Sequence, residues 1–159
     1  MRTEDVVQAA RHALGYWDSS SDEAIANRYE EQVTRAWRNA LERQFPGRLN
    51  FEVEPVSGEH RSRIDAVDFV EGVAYEFKVS GKNPHHRFFR DLWKVIALNA
   101  QDGVTVRRLV FVVGKPGDRE LSDAFTTRVR EVAAQTLGIE TEIVGVLPPH
   151  RPSPFDNDD

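Results

Sequence analysis

The chain has no cysteine, a single methionine and no long apolar run among its 159 residues. Without cysteine there is no disulfide framework, no zinc–thiolate site and no thiol nucleophile. That absence suits a reducing compartment. The opening Met1-Arg2-Thr3-Glu4-Asp5 lacks an apolar signal core, and no stretch is apolar enough to span a bilayer. A cytoplasmic protein with no membrane contact is therefore expected. There is no Walker loop, no dinucleotide fingerprint and no H-E-x-x-H. Basic charge is not in excess either: 21 Lys and Arg stand against 26 Asp and Glu, a net charge of −5. This argues against a protein that coats nucleic acid over its whole surface, and leaves room for a local basic patch beside an acidic site.

What is present reads as one α/β domain. Hydrophobic content of 40% and charged content of 30% are those of an ordinary globular chain. Thr3 is placed to cap a helix over 4–14, which Gly15 ends. A second helix starts near Ser21-Asp22-Glu23 and runs to about Gln44. Ile25, Tyr29, Val33, Ala36, Trp37 and Ala40 form its apolar stripe. Three strands follow, over 49–56, 62–70 and 73–80, the last two joined by a tight turn at Glu71-Gly72. Asn83 and Pro84 announce a helix to about Gln101. A strand over 106–113 contains the run Leu109 to Val113, which implies burial on both faces. A loop at 115–118, a helix over 122–137 and a strand over 140–147 complete the order. The last strand–helix–strand unit should be parallel and right-handed. The simplest packing is a mixed sheet flanked by helices, in a single domain over 1–147. The proline- and acid-bearing tail over 148–159 is expected to be disordered.

The chemistry concentrates in the hairpin from Arg63 to Lys78. Alternation along a strand sets Glu76 and Lys78 on one face and Tyr75, Phe77 and Val79 on the other. Asp65 and Glu76 lie eleven positions apart, and pairing of their strands brings them together. Carboxylates among apolar neighbours are costly unless compensated, and a hard divalent cation such as Mg²⁺ suits their oxygens. The alternative for Lys78 is a cross-strand salt bridge to Asp68 or Glu76. Asp68 should face the other side of the strand and pair with Arg63 or Arg61. A basic segment follows, in which Lys78, Lys82, His85, His86, Arg87, Arg90 and Lys94 are interrupted only by Asp91. Arg87, Arg90 and Lys94 fall on one helical stripe, expected opposite the apolar Phe88, Phe89, Leu92, Trp93 and Ile96. That stripe is either a set of phosphate contacts or a solvated helix face. Lys82 and Asn83 lie where a helix N-terminus favours an anion. Neighbouring His85 and His86 point about 100° apart and make a poor chelate. Trp17, Trp37 and Trp93 are expected in the core, with Trp17 in a loop.

This order of elements, with Asp65, Glu76-Phe77-Lys78 and an acid on the preceding long helix, resembles the PD-(D/E)xK superfamily of restriction-endonuclease-like nucleases. The likeness covers roughly Asp22 to Leu147. Ile64 stands where the family name has proline. The resemblance implies a restriction-endonuclease-like core and a Mg²⁺-dependent hydrolase, with Mn²⁺ able to substitute. Asp65, Glu76 and the Phe77 carbonyl would hold the metal, and Lys78 would stand beside the attacking water. Of the two acids on the long helix, helical periodicity favours Glu30 over Glu31 as the residue completing the site. The expected activity is endonucleolytic cleavage of DNA, in restriction, repair or phage defence. A homodimer would serve to cut both strands. The alternatives are an inactive nuclease-like module that binds nucleic acid or a partner protein in a larger assembly, or an RNase or structure-specific nuclease.

Overall fold

The computed structural model describes residues 1–15, 23–56, 58, 62–79, 83–114 and 117–147, with side chains for all of these except 23–29. The expectations for Trp17, Lys82, the stripe residues Ile25 and Tyr29, most of the turn after position 56 and the tail over 148–159 lie outside the described residues.

Helices α1 (Thr3–Leu14) and α2 (Glu23–Gln44) open the chain. Thr3 lies inside α1 and Arg2 takes the cap position, one residue earlier than its sequence suggested. The reason is the acid at Asp5, whose carboxylate accepts the Arg2 backbone N–H at 2.9 Å. Strands β1 (Asn50–Val53), β2 (Ile64–Asp68) and β3 (Val73–Lys78) form an antiparallel meander. Helix α3 (Pro84–Asn99) then leads to β4 (Arg108–Gly114). The short α4 (Gly117–Glu120) falls where a loop was expected. Helix α5 (Ala124–Leu137) and β5 (Glu140–Val146) finish the fold. The five-stranded sheet is mixed, in the order β1-β2-β3-β4-β5, with β3, β4 and β5 parallel.

Two apolar clusters cover the sheet, one per face. Val33, Trp37 and Leu41 of α2 and much of α1 pack on Tyr75, Phe77, Val110 and Val112. Phe88, Leu92 and Val95 of α3, with Ala133 of α5, pack on Ala74, Leu109, Phe111 and Val113. β4 contributes to both clusters, as its unbroken apolar run implied. Trp37 is fully buried, and its indole N–H donates to the Val6 carbonyl at 3.2 Å, which ties α1 to α2.

The β2–β3 turn depends on Asp68 and Gly72. The Asp68 carboxylate accepts the backbone N–H groups of Val70 and Glu71, both at 3.0 Å. Its other oxygen accepts from Arg48 at 2.8 Å. Asp68 thus pairs with Arg48, from the turn after α2, while Arg61 lies outside the described residues. Gly72 has φ 65°, and a Cβ there would stand 2.9 Å from the Thr105 carbonyl oxygen. Gly72→Ala combines a left-handed backbone with that clash. A loss of about 1–3 kcal/mol of stability is expected, measured by urea denaturation.

Candidate active site

A cleft of about 640 Å³ opens where the end of β3, the start of β2, the N-terminal part of α3 and the middle of α2 meet. Its position outside the carboxyl end of a parallel strand is where α/β sheets place their ligands. Asp65, Phe77, Lys78, Glu30, Asn83, Arg87 and Arg90 all line it.

The hairpin register explains the meeting of Asp65 and Glu76. Ala66 pairs with Tyr75, so one residue further sets Asp65 level with Glu76. Tyr75 and Phe77 are buried in the α1–α2 cluster, which turns Glu76 and Lys78 toward α3. Strict alternation fails at Asp65: Ile64 belongs to the α3-side cluster, while Ala66, two residues on, belongs to the α1–α2 cluster. From this break the Asp65 carboxylate reaches three groups. It accepts the Phe77 N–H at 2.9 Å and an Arg38 guanidinium N–H at 3.1 Å, and lies 3.6 Å from the Lys78 ammonium.

Glu76 is fully buried. One of its oxygens accepts from Lys78 at 2.6 Å and the other from Lys94 at 2.9 Å. Lys94 lies 2.6 Å from Asp91, and Asp91 lies 3.2 Å from Lys78. Glu76, Lys78, Asp91 and Lys94 therefore close a buried ring of alternating charge. Such a ring survives burial because every charge has opposite neighbours. Lys94 also donates to the Arg63 carbonyl at 2.7 Å.

Burial pushes the Glu76 carboxyl up, and Asp65 and Asp91 add to that; Lys78 and Lys94 oppose it. For Lys78, burial works against the charged form, but Glu76, Asp65 and Asp91 outweigh it and hold the ammonium well above the usual lysine range. Asp65 is raised by burial, yet Lys78, the Phe77 N–H, Glu76 and Arg38 bring it below an ordinary aspartate. A carboxylate depressed in the folded state contributes stability above its unfolded pKa, and that contribution vanishes as pH falls through the folded value. Between about pH 5 and pH 2, wild-type protein should therefore lose stability more steeply than Asp65→Asn, as read from urea midpoints across that range.

The basic segment divides in a way its sequence did not reveal. Lys94 does not join a solvent-facing stripe with Arg87 and Arg90; it is buried in the ring. Arg87 lies at the cleft wall and donates to Glu30 at 2.6 Å. Arg90 is exposed at the rim. Asn83 occupies the cap position of α3 in the left-handed region, at φ 49°, and makes no side-chain cap bond. Asparagine tolerates that conformation better than most residues. His86 lines the cleft, whereas the His85 ring contacts Asp123 at 2.5 Å. Trp93 is not a core residue; it is 68% exposed. The face of α3 turned to the sheet carries Phe88, Asp91, Leu92, Lys94, Val95 and Leu98. Glu30 and Glu31 both line the cleft, but Glu31 is largely exposed and pairs with Arg35.

Three contributors went unnoticed in the sequence. Arg38 pairs with Asp65 and with Glu52, and links α2 to β1 and β2. Glu52 adopts φ 55° within β1, a left-handed value rare for glutamate. Asp91 had a legible signal: three residues after Phe88 and four before Val95, it sits on the buried stripe of α3.

Asp65, Glu76 and the Phe77 carbonyl offer hard oxygen donors of the kind Mg²⁺ takes, usually as one or two carboxylates completed by water. The Lys78 ammonium lies 3.6 Å and 2.6 Å from the two carboxylates, so the gap between them suits positive charge. Among the described residues no group of three or more acidic or histidine side chains is arranged around a metal position. Also among the described residues, no helix is long and apolar enough to cross a membrane. The fold and cleft define an α/β domain with a five-stranded mixed sheet and a charged cleft at the end of its central strand. No protein-family model, curated protein or solved structure matches the chain.

Proposed function

We propose that this chain is a nuclease with a restriction-endonuclease-like core, hydrolysing phosphodiester bonds in DNA with Mg²⁺ or Mn²⁺. The observation that carries the reading is the convergence of Asp65 and Glu76 on the Lys78 ammonium, at the edge of a cleft lined by Arg38, Arg87 and Arg90. Arg38 and Arg87 are held by cleft carboxylates, and Arg90, exposed at the rim, presents a planar donor fork that matches phosphate oxygens. Asn83 and His86 extend the polar wall beside them.

Asp65, Glu76 and the Phe77 carbonyl would hold the metal, which when bound supplies charge neutralisation at the scissile phosphate. Lys78, kept as an ammonium by its acidic neighbours, is a hydrogen-bond donor and a positive charge, not a base. Its role is to orient the attacking water by donating an N–H to the water oxygen, and to stabilise negative charge that grows on the phosphate. Arg38 fixes the Asp65 carboxylate from behind, and Arg87 fixes Glu30 at the wall.

A second reading, a nucleic-acid-binding module without cleavage chemistry, draws support from the complete burial of Glu76 and the engagement of both its oxygens by lysines. One experiment separates the two. Plasmid, single-stranded DNA and RNA are incubated with Mg²⁺ or Mn²⁺, and metal binding is followed by calorimetry with Asp65→Ala as control. Metal-dependent cutting and a heat signal lost in Asp65→Ala are expected. DNA binding in chelator without cutting in either metal would favour the second reading, and cutting of RNA alone would reassign the substrate.

A further inference from the structure

On the side of the molecule made by α3 and α5 lies an apolar groove of about 440 Å³, whose lining side chains are all uncharged and apolar. Trp93 and Phe125 rise beside it, 68% and 67% exposed, and Val132 and Leu137 are more than two-fifths exposed. Phe89 joins the two helices beneath, its ring 5.7 Å from that of Phe125 in an edge-to-face contact. We propose that this face is the contact between two copies of the chain, paired about a two-fold axis.

Three observations favour a second copy as the occupant. The first is charge. A chain carrying −5 repels its own kind across any charged face, and here the lining has no charged side chain to repel or to select an oppositely charged partner. The second is shape. A two-fold contact must be self-complementary, and a face with both a groove and two projecting rings can place the ring of each copy in the groove of the other. The third is area. An aromatic side chain carries about 150–250 Å², so Trp93 and Phe125 together present roughly 250 Å². With Val132, Leu137, Phe89 and Val129 the apolar patch reaches roughly 500 Å² per copy, so pairing removes about 1,000 Å² before any polar rim is added, the threshold for specific association.

The face leaves the cleft open. On α3 the cleft is lined by His86, Arg87 and Arg90 and the groove by Phe89, Leu92, Trp93 and Ile96, so the two share no residue, although Arg90 lies one turn before Trp93. The inference uses neither the metal ligands nor the cleft, so it stands or fails separately from the proposed nuclease activity.

The test is sedimentation equilibrium of the full chain from about 1 μM to about 100 μM, with Trp93→Asp and Phe125→Ser alongside. Both positions are exposed, and circular dichroism checks that each variant folds. The expected result is a concentration-dependent dimer whose dissociation constant rises about 100-fold or more in Trp93→Asp and clearly in Phe125→Ser. A wild-type chain that stays monomeric throughout would overturn the proposal and leave the face to a different protein. A dimer equally stable in both folded variants would overturn it as well, by moving the interface elsewhere.

Discussion

In Lys78→Ala, cleavage of plasmid DNA at saturating Mg²⁺ is expected to fall by about 10²–10³-fold or more, while circular dichroism still reports a folded α/β protein. Among the described residues, the ammonium is the one cation within 4 Å of Asp65, Glu76 and Asp91 together. Its loss removes both a donor toward the attacking water and a charge facing the phosphate. Arginine at this position keeps the charge but replaces a compact ammonium with a planar fork, so Lys78→Arg should recover little activity. Asp65→Asn and Glu76→Gln preserve shape and remove a negative charge, and each should abolish cleavage with metal affinity reduced. The measurement is single-turnover cleavage alongside calorimetric metal binding. Full activity in any one of these variants removes that residue from the mechanism. Metal binding unchanged in both carboxylate variants would favour the reading without cleavage chemistry.

The second large effect concerns stability. Lys94→Met leaves the buried Glu76 and Asp91 sharing Lys78, and Asp91→Leu leaves Lys94 with Glu76 and Lys78 with Glu76 and Asp65. Breaking a buried ion pair on one side strands a charge away from water and costs about 3–5 kcal/mol. Replacing both members with apolar side chains of similar size costs far less and is often neutral. The double variant Asp91→Leu/Lys94→Met should therefore be more stable than either single variant, a non-additivity that urea denaturation reads directly. Simple addition of the two single losses would mean that Asp91 and Lys94 do not act as a pair. The same double variant informs function. If the ring serves only packing, activity follows stability; if it positions Glu76 and Lys78, cleavage falls even where the fold is restored.

Much of this architecture was legible because it is periodic. The apolar stripe of α2, the unbroken run of β4 and the glycine after α5 each marked an element near its observed place. Gly138 ends α5 with φ 65°, the left-handed cap for which glycine is suited. Asp123 caps the same helix by accepting the Thr126 N–H at 2.8 Å, which sets its start at 124 and not at 122. A two-residue turn at Glu71-Gly72 would set Asp65 opposite Lys78; the observed turn spans 69–72, held by Asp68 accepting the Val70 and Glu71 N–H groups, and that register is what sets Asp65 level with Glu76.

Less legible were the residues whose role depends on what another element presents to them. Lys94 reads as surface because lysine usually is; it is buried because Glu76 and Asp91 meet it from β3 and from its own helix. Trp93 reads as core because tryptophan usually is; it is exposed because the buried stripe of α3 runs through Asp91 and Lys94, which turns the indole outward. Arg48 found Asp68, and Arg38 found Asp65, across separations no local pattern encodes.

The order of helices and strands, the hairpin and its two acids with their lysine were set by the chain's own spacing, because strand and helix periods act over a few residues. The buried charge ring, the arginines of the cleft wall and the uncovered apolar face were decided only when α2 and α3 packed on opposite faces of the sheet. Ion pairing and burial depend on distance in space, and neighbours contributed by separate elements exist only once the fold has closed.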